Sequence, residues 1–117
     1  STLSLPRQRK AYDMATYFVR WQANPGNWPT DPKEVLAAWE AACAGGDRAL
    51  ADGSFKEIRW FSPISGYCIV ERDTKAEAMA TVAPFFPYFS QTVEETAAWE
   101  EGRDAQLAAV RASANAG

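Results

Sequence analysis

The stretch FKEIRWFSPISGYCIVER (residues 55–72) contains the two apolar segments that decide the class of fold. Residues 55–61 and 67–72 are rich in aromatic and β-branched side chains, which are typical of β-strands. The short connection between them contains Pro63 and Gly66, and a glycine-containing connection of this length favours a hairpin. The centre of the chain is therefore predicted to be an antiparallel pair of strands.

A strand and a helix are predicted on the N-terminal side of this hairpin. Residues 16–21 (TYFVRW) have the composition of a strand. After a Pro- and Gly-rich loop, Asp31 occupies a cap position and Pro32 the first helical position of a predicted helix. The helix is expected to bend or break at Gly45 and Gly46, because each glycine costs about 1 kcal/mol relative to alanine.

A helix, a strand and a further helix are predicted on the C-terminal side. Thr74 and Glu77 have the spacing of a capping box, and the short helix that they open is stopped by Pro84. Residues 88–93 are predicted to form a fourth strand. Residues 96–114 are Ala-rich with apolar residues at helical spacing, which predicts a terminal helix.

The resulting order predicts an α+β domain with a ferredoxin-like βαββαβ sheet, two crossover helices and an added C-terminal helix. The division is a leader at residues 1–13, a ferredoxin-like domain at 14–95 and a helical extension at 96–117. The leader is polar and basic, and it is interpreted as disordered or as a remnant of the expression vector. An arm that docks on a neighbouring molecule is the alternative.

Both faces of the predicted sheet are apolar, and this pattern bears on assembly. In the first strand Tyr17, Val19 and Trp21 share one face, while Phe18 lies on the other. Two crossover helices cover one face only, so the second face needs another cover. We expect a second copy to pair sheet to sheet, forming a dimeric α+β barrel, with the terminal helix as the competing cover.

Composition excludes several classes of protein. The 117 residues suit one domain, and a hydrophobic fraction of 47% excludes a disordered chain. There is no histidine, so Ser-His and Cys-His catalysis are excluded. Residues 1–13 carry a net charge of +2, which leaves −5 for the remainder and argues against nucleic acid. No membrane span and no export signal are recognisable, so a cytoplasmic protein is expected. In that setting Cys43 and Cys68 are predicted to be two buried thiols, with a disulfide between them as the alternative.

Three segments resemble a known family. APFFPYFSQTVE (residues 83–94) resembles the segment that leads into the last strand of muconolactone isomerase-like proteins. TYFVRW (residues 16–21) and GYCIVE (residues 66–71) are similar to two further strands of that family. The resemblance covers roughly residues 14–95 and implies the dimeric α+β barrel superfamily, which includes isomerases, cofactor-free monooxygenases and haem-degrading enzymes. The chain departs from muconolactone isomerase in lacking histidine and in its terminal helix, so that activity is not transferred.

Charged residues on the strands are the candidate catalytic group. Arg20, Arg59 and Glu71 each lie on the more polar face of their strand. If the strand register brings these faces together, the arginines could anchor an anionic or enol-type ligand while glutamate moves protons. Glu57 and Tyr67 are expected nearby as ligand-binding residues. The alternative is a set of cross-strand ion pairs with no ligand.

Aromatic residues are the second candidate feature. Five tryptophans are many for this length, and aromatic walls suit a pocket for a flat apolar ligand. Trp28 in the Pro-rich loop, Trp60 and Tyr88 are the predicted pocket residues. Trp39 is assigned to the core because it lies on the apolar stripe of its helix. The alternative is that the aromatic residues are core and interface anchors.

Two functions stay open at this level. One is a small-molecule-binding dimeric barrel with cofactor-free isomerase or monooxygenase activity on an aromatic or enol-type metabolite. The other is a non-enzymatic binding or assembly protein of the same fold. No phosphate-binding glycine motif and no metal-ligand spacing are present, so no metal and no cofactor are predicted. The expected partners are a second copy and a small aromatic or anionic ligand.

Overall fold

The computed structural model describes residues 14–116, so the predicted leader at 1–13 lies outside the described residues. The strands and helices occur along the chain in the order that was predicted. Their bounds are β1 Ala15–Ala23, α1 Pro32–Asp52, β2 Glu57–Ser62, β3 Ser65–Arg72, α2 Lys75–Val82, β4 Phe89–Glu95 and α3 Trp99–Ala116.

The four strands form one antiparallel sheet in the order β2-β3-β1-β4. Residue Val19 in β1 lies opposite Cys68 of β3 on one side and Val93 of β4 on the other. The predicted α+β class and antiparallel sheet are confirmed, and the arrangement is compatible with a ferredoxin-like fold.

Side-chain alternation gives the sheet two distinct faces. Tyr17, Val19, Cys68 and Val70 are fully buried on the inner face, which packs against α2. Residue Phe18 alternates onto the opposite face, which we call the outer face. The core therefore lies on one side of the sheet only.

Helix α1 begins at a capped end and continues through its two glycines. The Asp31 carboxylate accepts a hydrogen bond from the backbone N–H of Glu34, and α1 then extends unbroken to Asp52. A Cβ at Gly45 would lie 3.1 Å from the Phe85 ring, and one at Gly46 would lie 3.4 Å from Ile58. The predicted bend or break is wrong, because these glycines let a continuous helix approach its neighbours closely.

Apart from these close approaches, α1 stands away from the sheet. None of its residues is buried, and Leu50 on its apolar stripe is 45% exposed. Trp39 is half-buried, so its assignment to the core is wrong. The helical spacing identified the side of α1 that faces the sheet, but it could not show how far apart the two surfaces lie.

Helix α3 packs against neither face of its own sheet. All of its residues are exposed, and Trp99 at its start is 75% exposed. It therefore does not cover the outer face, which had been the alternative to pairing between copies. No helix within residues 14–116 is both long and apolar enough to cross a membrane.

The β2–β3 hairpin depends on Gly66. This residue is buried and lies opposite Trp21 of β1 and Trp60 of β2 in the sheet register. A Cβ at this position would overlap the carbonyl oxygen of Arg59 and the ring of Trp21. Glycine is therefore the residue that allows a tryptophan on each side of β3.

We expect Gly66→Ala to lower the free energy of unfolding by about 3 kcal/mol, because the overlap includes a backbone atom that cannot rotate away. Gly26→Ala is the matched control, since a Cβ at Gly26 has no atom within 4 Å. The control should change stability by no more than about 0.5 kcal/mol. Urea unfolding of both variants provides the measurement, and equal stability of the two would contradict the steric role of Gly66.

Candidate functional site

An aromatic cluster lies on the inner face between α1 and the sheet. Trp21 and Trp60 meet edge to face across Gly66, with ring centroids 5.2 Å apart and planes at 84°. Trp39 of α1 is 6.0 Å from Trp60 and 5.6 Å from Phe89 of β4. Edge-to-face contacts at these distances are favourable for aromatic rings. The cluster thereby links α1 to three strands.

The loop before α1 closes one end of this aromatic cluster. The Trp28 indole N–H donates to the Tyr88 carbonyl oxygen at 2.6 Å, and Asn27 donates to the Pro87 carbonyl oxygen at 3.0 Å. The Trp28 ring lies 4.7 Å from the ring of Trp39. These contacts hold the loop against the start of β4.

A cleft of about 330 Å³ lies between α1 and the inner face of the sheet. Its size falls within the range of about 300–1,000 Å³ that is common for small-molecule pockets. The wall is mainly apolar and aromatic, and includes Trp21, Trp39, Leu50, Ile58, Trp60 and Phe89. The gap exists because α1 approaches its neighbours closely at its glycines while its stripe stays unburied.

Few polar groups reach this cleft. Asp47 and Gln91 line it together with the thiols of Cys43 and Cys68. The Gln91 side-chain amide donates to the Val82 carbonyl oxygen at 2.8 Å, so its own oxygen stays available as an acceptor. Burial raises the pKa of the Cys68 thiol to about 12, which keeps it protonated at neutral pH.

The two thiols should differ sharply in reactivity. Cys68 is buried in β3 and has the raised pKa given above, as a free thiol. The predicted burial of Cys43 is wrong, because this free thiol lies exposed on α1, which has no buried residue. Because the thiolate is the reacting form, we expect Ellman's reagent to modify Cys43 in the native protein and Cys68 only after unfolding. The Cys43→Ser variant serves as the control and should be inert until denatured. Rapid reaction of both thiols in the native state would contradict a buried Cys68.

The predicted charged residues lie on the outer face, away from the cleft. The Arg59 Nε–H and the Tyr67 hydroxyl both donate to Oε2 of Glu57, at 2.7 and 2.9 Å. The guanidinium of Arg20 lies over the ring of Phe61, 4.8 Å from its centroid. Tyr67 connects the two groups because its ring is 5.7 Å from that of Phe61. Arg20, Glu57, Arg59 and Tyr67 therefore form one surface cluster.

Glu71 shares the outer face but not this cluster. Its carboxylate lies 3.8 Å from the ammonium of Lys56, and both side chains are nearly half exposed. The Arg59 side chain is 71% exposed. The three residues predicted as catalytic thus do not enclose a common cleft, and none of them lines the cleft under α1.

The hydrogen bonds of Glu57 shift its titration. Hydrogen bonding from Arg59, followed by that from Tyr67, lowers the pKa of Glu57 below its usual value of 4.5. The same bond to Glu57 raises the pKa of Tyr67. A carboxylate with a lowered pKa in the folded state stabilises the fold above its unfolded pKa, and this contribution disappears as pH falls through the folded value.

We therefore expect Glu57→Gln to be less stable than the parent protein at neutral pH. The difference should shrink below about pH 4.5 and vanish once Glu57 is protonated in the folded state. Glu101→Gln is the control, since this exposed carboxylate of α3 makes no side-chain hydrogen bond within residues 14–116. Thermal melts across an acid series would show it, and a difference independent of pH would contradict this role of Glu57.

The sequence-predicted ligand residues divide between the two faces. Trp60 lines the cleft, and Trp28 and Tyr88 lie at the edge of the aromatic cluster beside it. Glu57 and Tyr67 belong to the outer face. Asp47 was missed, although it follows Cys43 by four residues and precedes Leu50 by three. That spacing places it on the same side of α1 as the apolar stripe.

No family profile matches this chain, and comparison with curated proteins finds no similar sequence. The resemblance to muconolactone isomerase-like proteins therefore gains no support from a family match. Among the described residues, no three acidic or cysteine side chains cluster in a way that would hold a metal ion. The cleft and the outer face are therefore the two features of the structure that bear on function.

Proposed function

We propose that this chain binds a small, flat, mainly apolar molecule in the cleft beneath α1. The observation that carries the proposal is a cleft of about 330 Å³ whose wall includes three tryptophan side chains, Trp21, Trp39 and Trp60. Aromatic walls with few polar groups are the usual lining of small-molecule pockets. The unburied apolar stripe of α1 also favours a bound molecule, because binding would remove the apolar side chains of the stripe from water.

The proposal is for binding rather than for proton transfer by the predicted charged set. Arg20, Arg59 and Glu71 belong to the outer face, and none of them lines the cleft. The Glu57 carboxylate is already occupied by two hydrogen-bond donors. Isomerase or monooxygenase activity would have to use the cleft residues instead, among which Asp47 is the carboxylate.

A neutral indole alcohol, tryptophol, tests the cleft directly. We expect isothermal titration calorimetry to detect its binding to the full chain. Ala42→Phe should weaken binding by about tenfold or more, because Ala42 lines the cleft and the added ring would fill it. Ala41→Phe is the control, since residue 41 is exposed on α1 and does not line the cleft. Absence of binding, or equal binding by both variants, would contradict the proposal.

The outer face favours assembly as a second function. Phe18 stacks on Tyr67 with ring centroids 5.0 Å apart, and Phe61 beside them is 51% exposed. We propose that a second copy covers this surface sheet to sheet, giving the dimeric α+β barrel that the resemblance implies. The exposed apolar side of α3 supports the same idea, because an isolated helix of this length is marginal in water. Docking of α3 across onto the partner would cover it.

Light scattering of variants tests this assembly. We expect a particle of twice the chain mass at micromolar concentration. Phe61→Lys should shift it toward the monomer, because a second cation beside Arg20 would have to be buried at the interface. Ala80→Lys on the exposed side of α2 is the control. A monomeric parent protein would contradict the dimer.

Truncation after Thr96 should lower the melting temperature if α3 docks on the partner.

A further inference from the structure

The charges around the cleft beneath α1 are one-sided. Asp47 is the carboxylate in its wall, and no lysine or arginine lines it within the described residues. The other polar groups in the wall are uncharged donors and acceptors, namely the amide of Gln91, the thiols of Cys43 and Cys68, and the indole N–H groups of the tryptophans. Going one step beyond the proposed function and resting on it, we infer that the cleft selects an aromatic amine bound as its cation, with Asp47 as the residue that determines specificity.

Asp47 is placed to receive a cation. It lies between Cys43 and Leu50 along the side of α1 that borders the cleft. Its carboxylate makes no ion pair with any residue of the described chain. The neighbouring cation, Arg48, does not line the cleft and has its guanidinium near Gly45. The carboxylate is therefore not neutralised by its own helix.

The aromatic wall suits the ring of such an amine. Trp39 of α1 and Trp60 of β2 both line the cleft, with their ring centroids 6.0 Å apart. Asp47 follows Trp39 by two helical turns, about 12 Å along α1, so a ring held against the tryptophans would direct a short alkyl ammonium toward Asp47. A carboxylate in the same place would face Asp47 without a cationic partner in the wall.

A cation at the rim does not reverse this balance. Arg59 lines a shallow depression that shares Leu50, Ile58 and Trp60 with the cleft. Its Nε–H, however, is bonded to Glu57 at 2.7 Å, so the pair carries no net charge. The available Gln91 oxygen gives a second acceptor for an ammonium or an indole N–H. Asp47 therefore supplies the charge that a ligand in the cleft meets.

Three indoles of nearly equal size separate charge from shape. Tryptamine carries an ammonium, tryptophol a hydroxyl and indole-3-propionate a carboxylate on the same ring. We expect calorimetry at low salt to give the affinity order tryptamine, tryptophol, indole-3-propionate. The first and last should differ by about tenfold, because the partly exposed Asp47 carboxylate attracts the ammonium and repels the carboxylate. The preference should weaken as salt is added, because Asp47 is exposed.

Substitution at residue 47 assigns the preference to its source. Asp47→Asn should reduce the difference in affinity between tryptamine and tryptophol to less than about twofold, because the charge that distinguishes them is removed. Asp104→Asn is the matched control, since it removes the same charge from exposed α3, away from the cleft. Circular dichroism of each variant verifies that the fold is retained.

The outcomes separate the two proposals. If none of the three indoles binds, the cleft is not a small-molecule site and both proposals fail. If all three bind equally, or the carboxylate binds best, the cleft remains a binding site and the amine assignment is overturned. If tryptamine binds best but Asp47→Asn keeps that preference, the role of Asp47 is overturned.

Discussion

The contact between Trp21 and Trp60 above Gly66 is the constraint on which the rest of this structure depends. Trp21 in β1 and Trp60 in β2 lie on either side of β3. Their indole rings can meet only because the residue between them, Gly66, has no side chain. Their meeting raises an aromatic wall on the inner face. Trp39 of α1 and Phe89 of β4 then complete the cluster. The hairpin, the position of α1 and the cleft are consequences of one glycine in β3.

The cleft follows from how α1 is supported. Gly45 and Gly46 bring the helix close to Phe85 and Ile58, while Trp39 rests on the aromatic wall. Between the two glycines and Trp39, the aromatic wall holds the apolar stripe of α1 away from the sheet. The space between the stripe and the sheet is left unfilled. A closely packed interior would not contain a gap of this size. This gap is the feature that supports the proposed binding of a small molecule.

The two faces of the sheet separate two kinds of chemistry. The cleft over the inner face combines aromatic rings of the sheet with one carboxylate among the described residues, Asp47 of α1, and this combination supports the proposed amine ligand. The outer face combines Arg20 with aromatic rings and with the hydrogen-bonded group around Glu57. Exposed, mutually paired charges of this kind contribute little to stability, but they can set the register of an interface. Binding and assembly can therefore reside on opposite sides of one sheet without sharing residues.

The sequence by itself determined the order of strands and helices, because local periodicity and capping patterns such as Thr74 with Glu77 act over a few residues. It also determined which residues of one strand share a face, since side chains alternate along a strand. That Arg20, Arg59 and Tyr67 of three strands lie together was predicted only on condition of the register, which the structure supplies by placing Arg20 and Arg59 opposite Tyr67. Only the tertiary structure decided that this face points away from the cleft, and that Asp47 borders it. Those facts depend on the distance between α1 and the sheet, which is set by contacts between residues far apart in the chain and leaves no local pattern.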